Sequence, residues 1–243
     1  MTAEAAERSS GVRPCRVALA VAIVWAPALL VLVAFSLAAG CRETPTGPSP
    51  APAPAADAEG WESLFDGKAL GRWEVTQFGG QGDVRVEDGC IILDMGPADL
   101  TGITWTEEPL RMNYEVALEA MRVDGGDFFC GLTVPVRYSC VTLVVGGWGG
   151  SLVGLSSFND MDASQNETTR IIEFENGRWY RIRMCVTEKK IEAWIDDEQV
   201  IDAEPGERKI SVRSEVELSQ PLGIAVWRTK AAIRNIRIRS LLQ

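Results

Sequence analysis

The sequence predicts an all-β fold, a two-sheet antiparallel jelly-roll sandwich, set behind an apolar N-terminal segment and a proline-rich tether. Three observations carry that expectation. From Gly60 onward, short runs rich in Val, Ile, Thr and aromatic residues are separated by clusters of Gly, Asp, Asn and Pro, the pattern of half-buried strands joined by turns. No apolar stripe of helical period runs through those segments, so amphipathic helices are not expected. No blade-length repeat is visible either, which favours one large sandwich over a propeller. With 243 residues, 46 % of them apolar, the chain can bury a single large core.

The elements follow in chain order. Residues 1–40 read as a signal segment, because Arg8, Arg13 and Arg16 precede a nearly uncharged apolar run over residues 17–39. Leu37-Ala38-Ala39-Gly40-Cys41 resembles a bacterial lipobox, in which small residues give a signal peptidase access to the bond before a cysteine that then receives lipid. Cys41 is the expected lipidation site. The alternative is an uncleaved membrane anchor, since an apolar run of this length spans the roughly 30 Å hydrocarbon core. Both readings place the protein in the cell envelope, attached to a membrane on its periplasmic or extracellular side. Residues 41–59 hold five prolines and almost no large apolar side chain, which suits an extended, semi-rigid tether and cannot build a core.

A single domain is expected over residues 60–243. It opens with residues 60–73, in which Phe65-Asp66-Gly67-Lys68 reads as a tight turn because Asp and Gly tolerate positive φ. Trp61, Leu64, Leu70 and Trp73 flank that turn as anchors. Strands are then expected over residues 73–78, 84–87, 90–94, 102–106, 111–123, 127–134, 138–145, 152–157, 169–174, 179–187, 190–195, 199–202, 222–227 and 231–239. One hairpin can be read to its register. Tyr180, Ile182, Met184 and Val186 alternate with Trp179, Arg181, Arg183 and Cys185. A turn at Glu188-Lys189 then sets Ile182 opposite Ile195, Met184 opposite Ala193 and Val186 opposite Ile191. The same register sets Arg183 opposite Trp194 and Arg181 opposite Asp196, a cation–π contact and an ion pair. A slip by one residue would bury the arginines.

Composition excludes several functions. The formal charge of −10 argues against nucleic acid, because a phosphate-binding surface needs clustered Lys and Arg. The chain has no His, so the usual zinc sites are not expected and no metal centre is assigned. Cys90, Cys130, Cys140 and Cys185 follow the leader; the symmetric placement of Cys130 and Cys140 about Pro135 suits a cross-hairpin bridge, with buried free thiols as the alternative.

Sugars are held by flat aromatic faces and planar polar groups, so Trp179, Arg181, Arg183 and Trp194 on one strand face form a candidate glycan platform. The alternative is a solvated outer face whose arginines pair with Asp196 and Glu192. Residues 146–150, Gly-Gly-Trp-Gly-Gly, are too glycine-rich for a strand interior and read as a loop that presents Trp148 as a subsite wall or a cap on the core. The loop carrying Asp160 and Asp162 concentrates oxygen ligands and is a candidate for calcium, although Gln165 and Ile171 stand where an EF-hand loop needs Gly and Glu. Glycoside cleavage without His would use two carboxylates about 5–9.5 Å apart. The candidates are Asp127, Asp160, Asp162, Glu173 and Glu175, the last two reading as surface charge beside the Asn176-Gly177 turn.

Several pieces recur in a specific order: Leu64-Phe65-Asp66-Gly67-Lys68 with Trp73, Val86-Glu87-Asp88-Gly89, Gly177-Arg178-Trp179-Tyr180, Ala193-Trp194-Ile195-Asp196-Asp197, and Ile233-Arg234-Asn235-Ile236-Arg237-Ile238. Together they resemble the 3-keto-disaccharide hydrolase domain family over about residues 60–243. The resemblance implies a concanavalin-like sandwich outside the cytoplasm that cleaves glycosides bearing a 3-keto sugar, by hydrolysis or by elimination next to the ketone. On that reading Asp127 and Asp160 are the catalytic carboxylates, and Arg137 and Trp148 border the substrate. Where the family shows Asn-Ser-Gly this chain has Phe129-Cys130-Gly131, and the family's His before the final strand falls near Arg228-Thr229. Those departures fit a second function, a non-catalytic glycan-binding or surface-adhesion module using Trp148, Trp179, Arg181 and Trp194.

Overall fold

A computed structural model describes residues 59–242; the expected signal segment, the lipidation site Cys41 and nearly all of the tether lie outside the described residues. The strands are β1 (Glu62–Ser63), β2 (Trp73–Val75), β3 (Val84–Glu87), β4 (Cys90–Leu93), β5 (Leu100–Trp105), β6 (Tyr114–Gly125), β7 (Cys130–Val136), β8 (Ser139–Gly146), β9 (Leu152–Ser156), β10 (Arg170–Ile171), β11 (Trp179–Val186), β12 (Ile191–Ile195), β13 (Glu198–Ala203), β14 (Gly223–Trp227) and β15 (Thr229–Ser240). They form two antiparallel sheets. One runs β13-β12-β11-β6-β15-β4-β3 with β1 added beside β15, and the other runs β10-β9-β8-β7-β14-β5-β2. This is the sandwich that the alternating pattern predicts.

The core lies between the sheets. Leu132 and Val134 of β7, Val141, Leu143 and Val145 of β8, and Ile224 and Val226 of β14 meet Val116 and Leu118 of β6, Ile182 and Met184 of β11, and Ile233 of β15. Each is a strand residue two places from the next, so a single register buries every one of them. Full burial of such a side chain contributes about 1.5–3 kcal/mol.

The β11–β12 hairpin has the register read from sequence: Ile182 pairs with Ile195, Met184 with Ala193 and Val186 with Ile191. On its outer face the Arg183 guanidinium lies 3.7 Å from the Trp194 ring centroid, and Arg181 N–H donates to Asp196 Oδ1 at 3.1 Å. The opening turn is also as read. Asp66 Oδ1 accepts the N–H groups of Lys68 and Ala69 at 2.8 and 3.1 Å, Gly67 has φ 77°, and Trp73 Nε1 donates to Leu64 O at 2.9 Å.

Other elements depart from expectation. β7 begins at Cys130 and not at Asp127, because the Asp127 carboxylate turns back to accept the Phe128 N–H at 2.8 Å and ends the extended run there. β10 is only two residues long, and β1 adds a pairing not foreseen in sequence. The Cys130–Cys140 bridge is corrected. The β7–β8 turn falls at Arg137-Tyr138, so Cys130 pairs with Val145 and Cys140 with Pro135; the four cysteines among the described residues, Cys90, Cys130, Cys140 and Cys185, are free and buried. Burial pushes the Cys130 thiol up to about 12 and those of Cys140 and Cys185 to about 11, so none is a thiolate near neutral pH.

Candidate functional site

Residues of β8, β9 and β14 that alternate with the core set face outward from the seven-stranded sheet, among them Thr142, Val144, Ser156 and Trp227. Two connections fold over that face. One is the glycine-rich turn after β8, and the other is a 3-10 turn over Ser214–Ser219. Between them lies a pocket of about 220 Å³ that brings together Asp127, Phe128, Trp148, Arg213, Glu215 and Trp227. Its volume lies below the roughly 300–1,000 Å³ of drug-sized sites, so it suits one sugar ring rather than an oligosaccharide.

The glycine-rich turn presents Trp148 because its backbone runs left-handed. Gly146, Gly149 and Gly150 have φ of 79°, 90° and 106°, and Trp148 itself has φ 49°. A non-glycine residue there is strained by about 1–2 kcal/mol, so other contacts must hold the turn. Asp127 Oδ2 accepts the Gly149 N–H at 3.2 Å, and Arg122 Nη1 donates to Gly150 O at 3.2 Å. Arg122 is buried and finds no carboxylate among the described residues; its other nitrogens donate to Phe174 O at 2.6 Å and Asn176 Oδ1 at 2.7 Å. It therefore ties the Trp148 turn to the loop ahead of β11. Trp148 stands 44 % exposed at the mouth of the pocket.

The opposite wall is an ion-pair clamp. Arg213 Nη2 donates to Glu215 Oε1 at 2.6 Å and Nη1 to Asp162 Oδ2 at 2.7 Å. The Arg213 hydrogen bond, helped by the Glu215 backbone N–H and the Ser214 hydroxyl, holds the Glu215 carboxyl at about 2. The turn carrying Glu215 sits directly on Gly223, where an added Cβ would lie 2.4 Å from Ser219 O. A backbone oxygen cannot rotate away. Gly223→Ala is therefore expected to lift the 3-10 turn off β14, lowering Tm and weakening sugar binding together. An unchanged Tm with unchanged binding in calorimetry would refute that packing.

Ser156 lines the same pocket, and its buried Oγ has no hydrogen-bond partner among the described residues. The neighbouring Thr142 hydroxyl is already shared with Thr133 at 2.8 Å.

Of the residues singled out in sequence, Asp127 and Trp148 meet in this pocket, held to each other through the Gly149 amide. Arg137 is elsewhere. It occupies the β7–β8 turn, at the end of β8 opposite the glycine-rich turn and so roughly 25 Å away at about 3.4 Å per residue; its guanidinium donates to Gly206 O at 2.7 Å. Asp160 does not reach the pocket either, being exposed and paired with Lys209 at 2.8 Å. Asp162, read with it as a calcium ligand, pairs with Arg213, and no metal-type cluster of three His, Cys, Asp or Glu residues occurs among the described residues. Trp179, Arg181 and Trp194 sit on the other sheet, on its outer face. Glu173 and Glu175 are exposed, as read. Sequence reasoning did not find the other pocket residues, among them Phe128, Ser156, Arg213, Glu215 and Trp227. Arg213 and Glu215 lie in a long connection with no periodic pattern, where only the mixed charges hinted at an ion pair.

The profile of the 3-keto-alpha-glucoside-1,2-lyase-like domain matches residues 60–239. The chain belongs to this family. No curated protein matches it by sequence. Among solved structures, the Crh5 transglycosylase in complex with NAG superposes with a TM-score of 0.54 at 14 % identity, covering 78 % of this chain and 87 % of that one. A sialidase superposes with a TM-score of 0.52 at 11 % identity over 77 % of this chain and 18 % of the sialidase. At such identities these likenesses show the shared sandwich fold. The lyase-like family assignment and the fold together make this a glycosyl hydrolase-like or carbohydrate-binding domain.

Proposed function

We propose that this lyase-like domain is an extracytoplasmic carbohydrate-recognition module, held at a membrane by its leader, and that the pocket between the glycine-rich and 3-10 turns holds one sugar ring. The observation that carries this reading is the convergence of Trp148, Trp227 and Asp127 on one pocket between the two turns. Trp148 and Trp227 supply apolar faces for the C–H surface of the ring. Asp127, with each oxygen accepting one backbone amide, retains lone pairs for hydroxyl donors.

Binding is favoured over hydrolysis by the proton inventory. Cleavage of a glycosidic bond needs an acid at the leaving oxygen. Glu215 is a committed anion, the thiols are buried and the chain has no His. Elimination next to a 3-ketone would instead start with a base at the adjacent carbon. Asp127 is the pocket carboxylate without an arginine ion pair among the described residues, so the Asp127→Asn variant separates the two functions.

The test is calorimetry of the protein with glucosides and 3-keto glucosides, with product analysis of the same samples. Binding without product is expected. Trp148→Ala is expected to weaken affinity by about 2 kcal/mol, or roughly thirtyfold. Affinity should be flat between pH 5 and 8. Glu215 is held at about 2, below its ordinary 4.5. The stabilisation from its pairing with Arg213 is thus complete above about pH 4.5 and is lost as pH falls toward 2. Product that disappears in Asp127→Asn would overturn the reading and make the domain a lyase.

A further inference from the structure

The outer face of the eight-stranded sheet carries a row of arginines laid out by strand register. Val116, Leu118 and Ala120 of β6 point into the core, so Glu115, Ala117 and Glu119 point out. Two of the three stand in register between arginines on both neighbouring strands. Glu119 lies between Arg181 of β11 and Arg234 of β15, and Ala117 lies between Arg183 and Arg237. Glu115 pairs in register with Arg239 and also draws in Arg183. At positions 115 and 119 the chain supplies its own carboxylate. Glu115 Oε1 accepts from Arg183 at 2.5 Å and its Oε2 accepts from Arg239 Nε at 2.5 Å, while Glu119 accepts from Arg234 and Asn235 at 2.8 Å each. At position 117 it offers only a methyl group.

That position is also where the face opens. A groove of about 490 Å³ runs over Ala117, bordered by Trp61, Arg181, Arg183 and Arg237 and by Glu119, Asp196 and Asp197, three carboxylates that pair with Arg234, Arg178 and Arg181. Arg237 is exposed, its guanidinium stacks 4.6 Å from the Trp61 ring centroid, and it has no carboxylate partner among the described residues. Stacking fixes the plane of the guanidinium and leaves its N–H edge available for a planar, two-oxygen acceptor. Arg183 faces it across β6, two interstrand spacings or about 10 Å away at the backbone. The neighbouring Glu115 shows that two arginines on this face can share one carboxylate, whereas Glu119 is held by Arg234 and Asn235 while Arg181 pairs with Asp197.

We propose that the Ala117 groove is a second glycan site, selective for an acidic polysaccharide whose uronate carboxylate sits between Arg183 and Arg237 as Glu115 sits between Arg183 and Arg239. A carboxylate is favoured by the neighbouring Arg183–Glu115–Arg239 arrangement, and a sugar carrier by membership of a glycoside-directed family. It is independent of the Trp148 pocket, which lies on the opposite sheet. The glycan platform read from Trp179, Arg181 and Trp194 lies on this same face. There, however, Arg234 covers Trp179 at 4.0 Å and Arg183 covers Trp194 at 3.7 Å, so recognition falls to the guanidiniums rather than to bare indole rings.

The experiment measures binding of the full chain to polygalacturonate, to neutral dextran and to phosphatidylglycerol vesicles at low ionic strength. Polygalacturonate is expected to bind and dextran is not. Arg237→Gln is expected to weaken polygalacturonate binding about tenfold or more, the loss of a charged hydrogen-bonding group. Ala117→Glu supplies the missing carboxylate from the chain, so it is expected to abolish binding while raising Tm. Trp148→Ala should leave this binding unchanged. Absence of polygalacturonate binding, or equal binding by Arg237→Gln, overturns the proposal. Retention on phosphatidylglycerol vesicles in place of polygalacturonate overturns it in favour of a lipid surface. Should Ala117→Glu fail to fold, the exposed Arg237→Gln change decides the question alone.

Discussion

Replacing Glu115 by alanine is expected to lower the unfolding free energy by about 3 kcal/mol, and Tm by roughly 6–12 °C. Its side chain is only 6 % exposed, near the start of β6, with each oxygen taken by a different arginine. Those arginines are in turn spread over Trp194 and Trp61, at 3.7 and 4.6 Å from the ring centroids. Removing the carboxylate leaves two guanidiniums held against apolar rings with no counter-charge. The cost is set at the low end of the range for broken buried pairs because both arginines keep some solvent. The contrast is Glu108, whose pairing with Arg111 is exposed on both sides and whose removal should change stability by no more than about 0.5 kcal/mol. Denaturant unfolding of the two variants checks the difference, and equal effects would mean that Glu115 is solvated in a way its burial does not suggest.

Phe129→Ala is the second large effect, about 3–5 kcal/mol of stability. The ring is fully buried, edge-on to Phe174 at 5.2 Å and tilted against Tyr180 at 5.8 Å, with the Arg122 guanidinium 5.6 Å from its centroid. It also lies directly beneath the glycine-rich turn, since a Cβ on Gly146 would come within 3.0 Å of it. A cavity there removes the floor under the left-handed run that presents Trp148. The variant is therefore expected to lose sugar affinity as well as Tm, whereas Phe129→Leu, which keeps most of the volume, should recover the greater part of both. Full sugar affinity in a destabilised Phe129→Ala protein would show that the turn is held from the Asp127 and Arg122 side alone.

Phe129 also shows how far the family's pattern was legible. The resemblance implies a polar residue at this position, and the sequence shows a phenylalanine there without showing where its ring points. In the fold Phe129 points inward to complete an aromatic cluster, while Phe128 points outward to line the pocket. The same limit applies to the charges. Asp127, Asp160 and Asp162 look alike along the chain. Only the fold shows that Asp127 folds back onto two backbone amides beside Trp148, while Asp160 and Asp162 are matched with Lys209 and Arg213.

Sequence periodicity by itself determined most of the strands, the all-β sandwich class and the β11–β12 register, because each depends on which side chains alternate, and a slipped register would bury arginine. It also placed Trp148 on a turn, since four glycines around one indole cannot extend a strand. Tertiary structure decided which residues share a surface. The pocket joins the end of β8 to the 3-10 turn ahead of β14, and the Ala117 groove joins β6 to β11 and β15, which lie far apart in the chain. Those meetings depend on strand order and on close approaches such as Ser219 over Gly223, and local patterns of hydrophobicity carry no information about either.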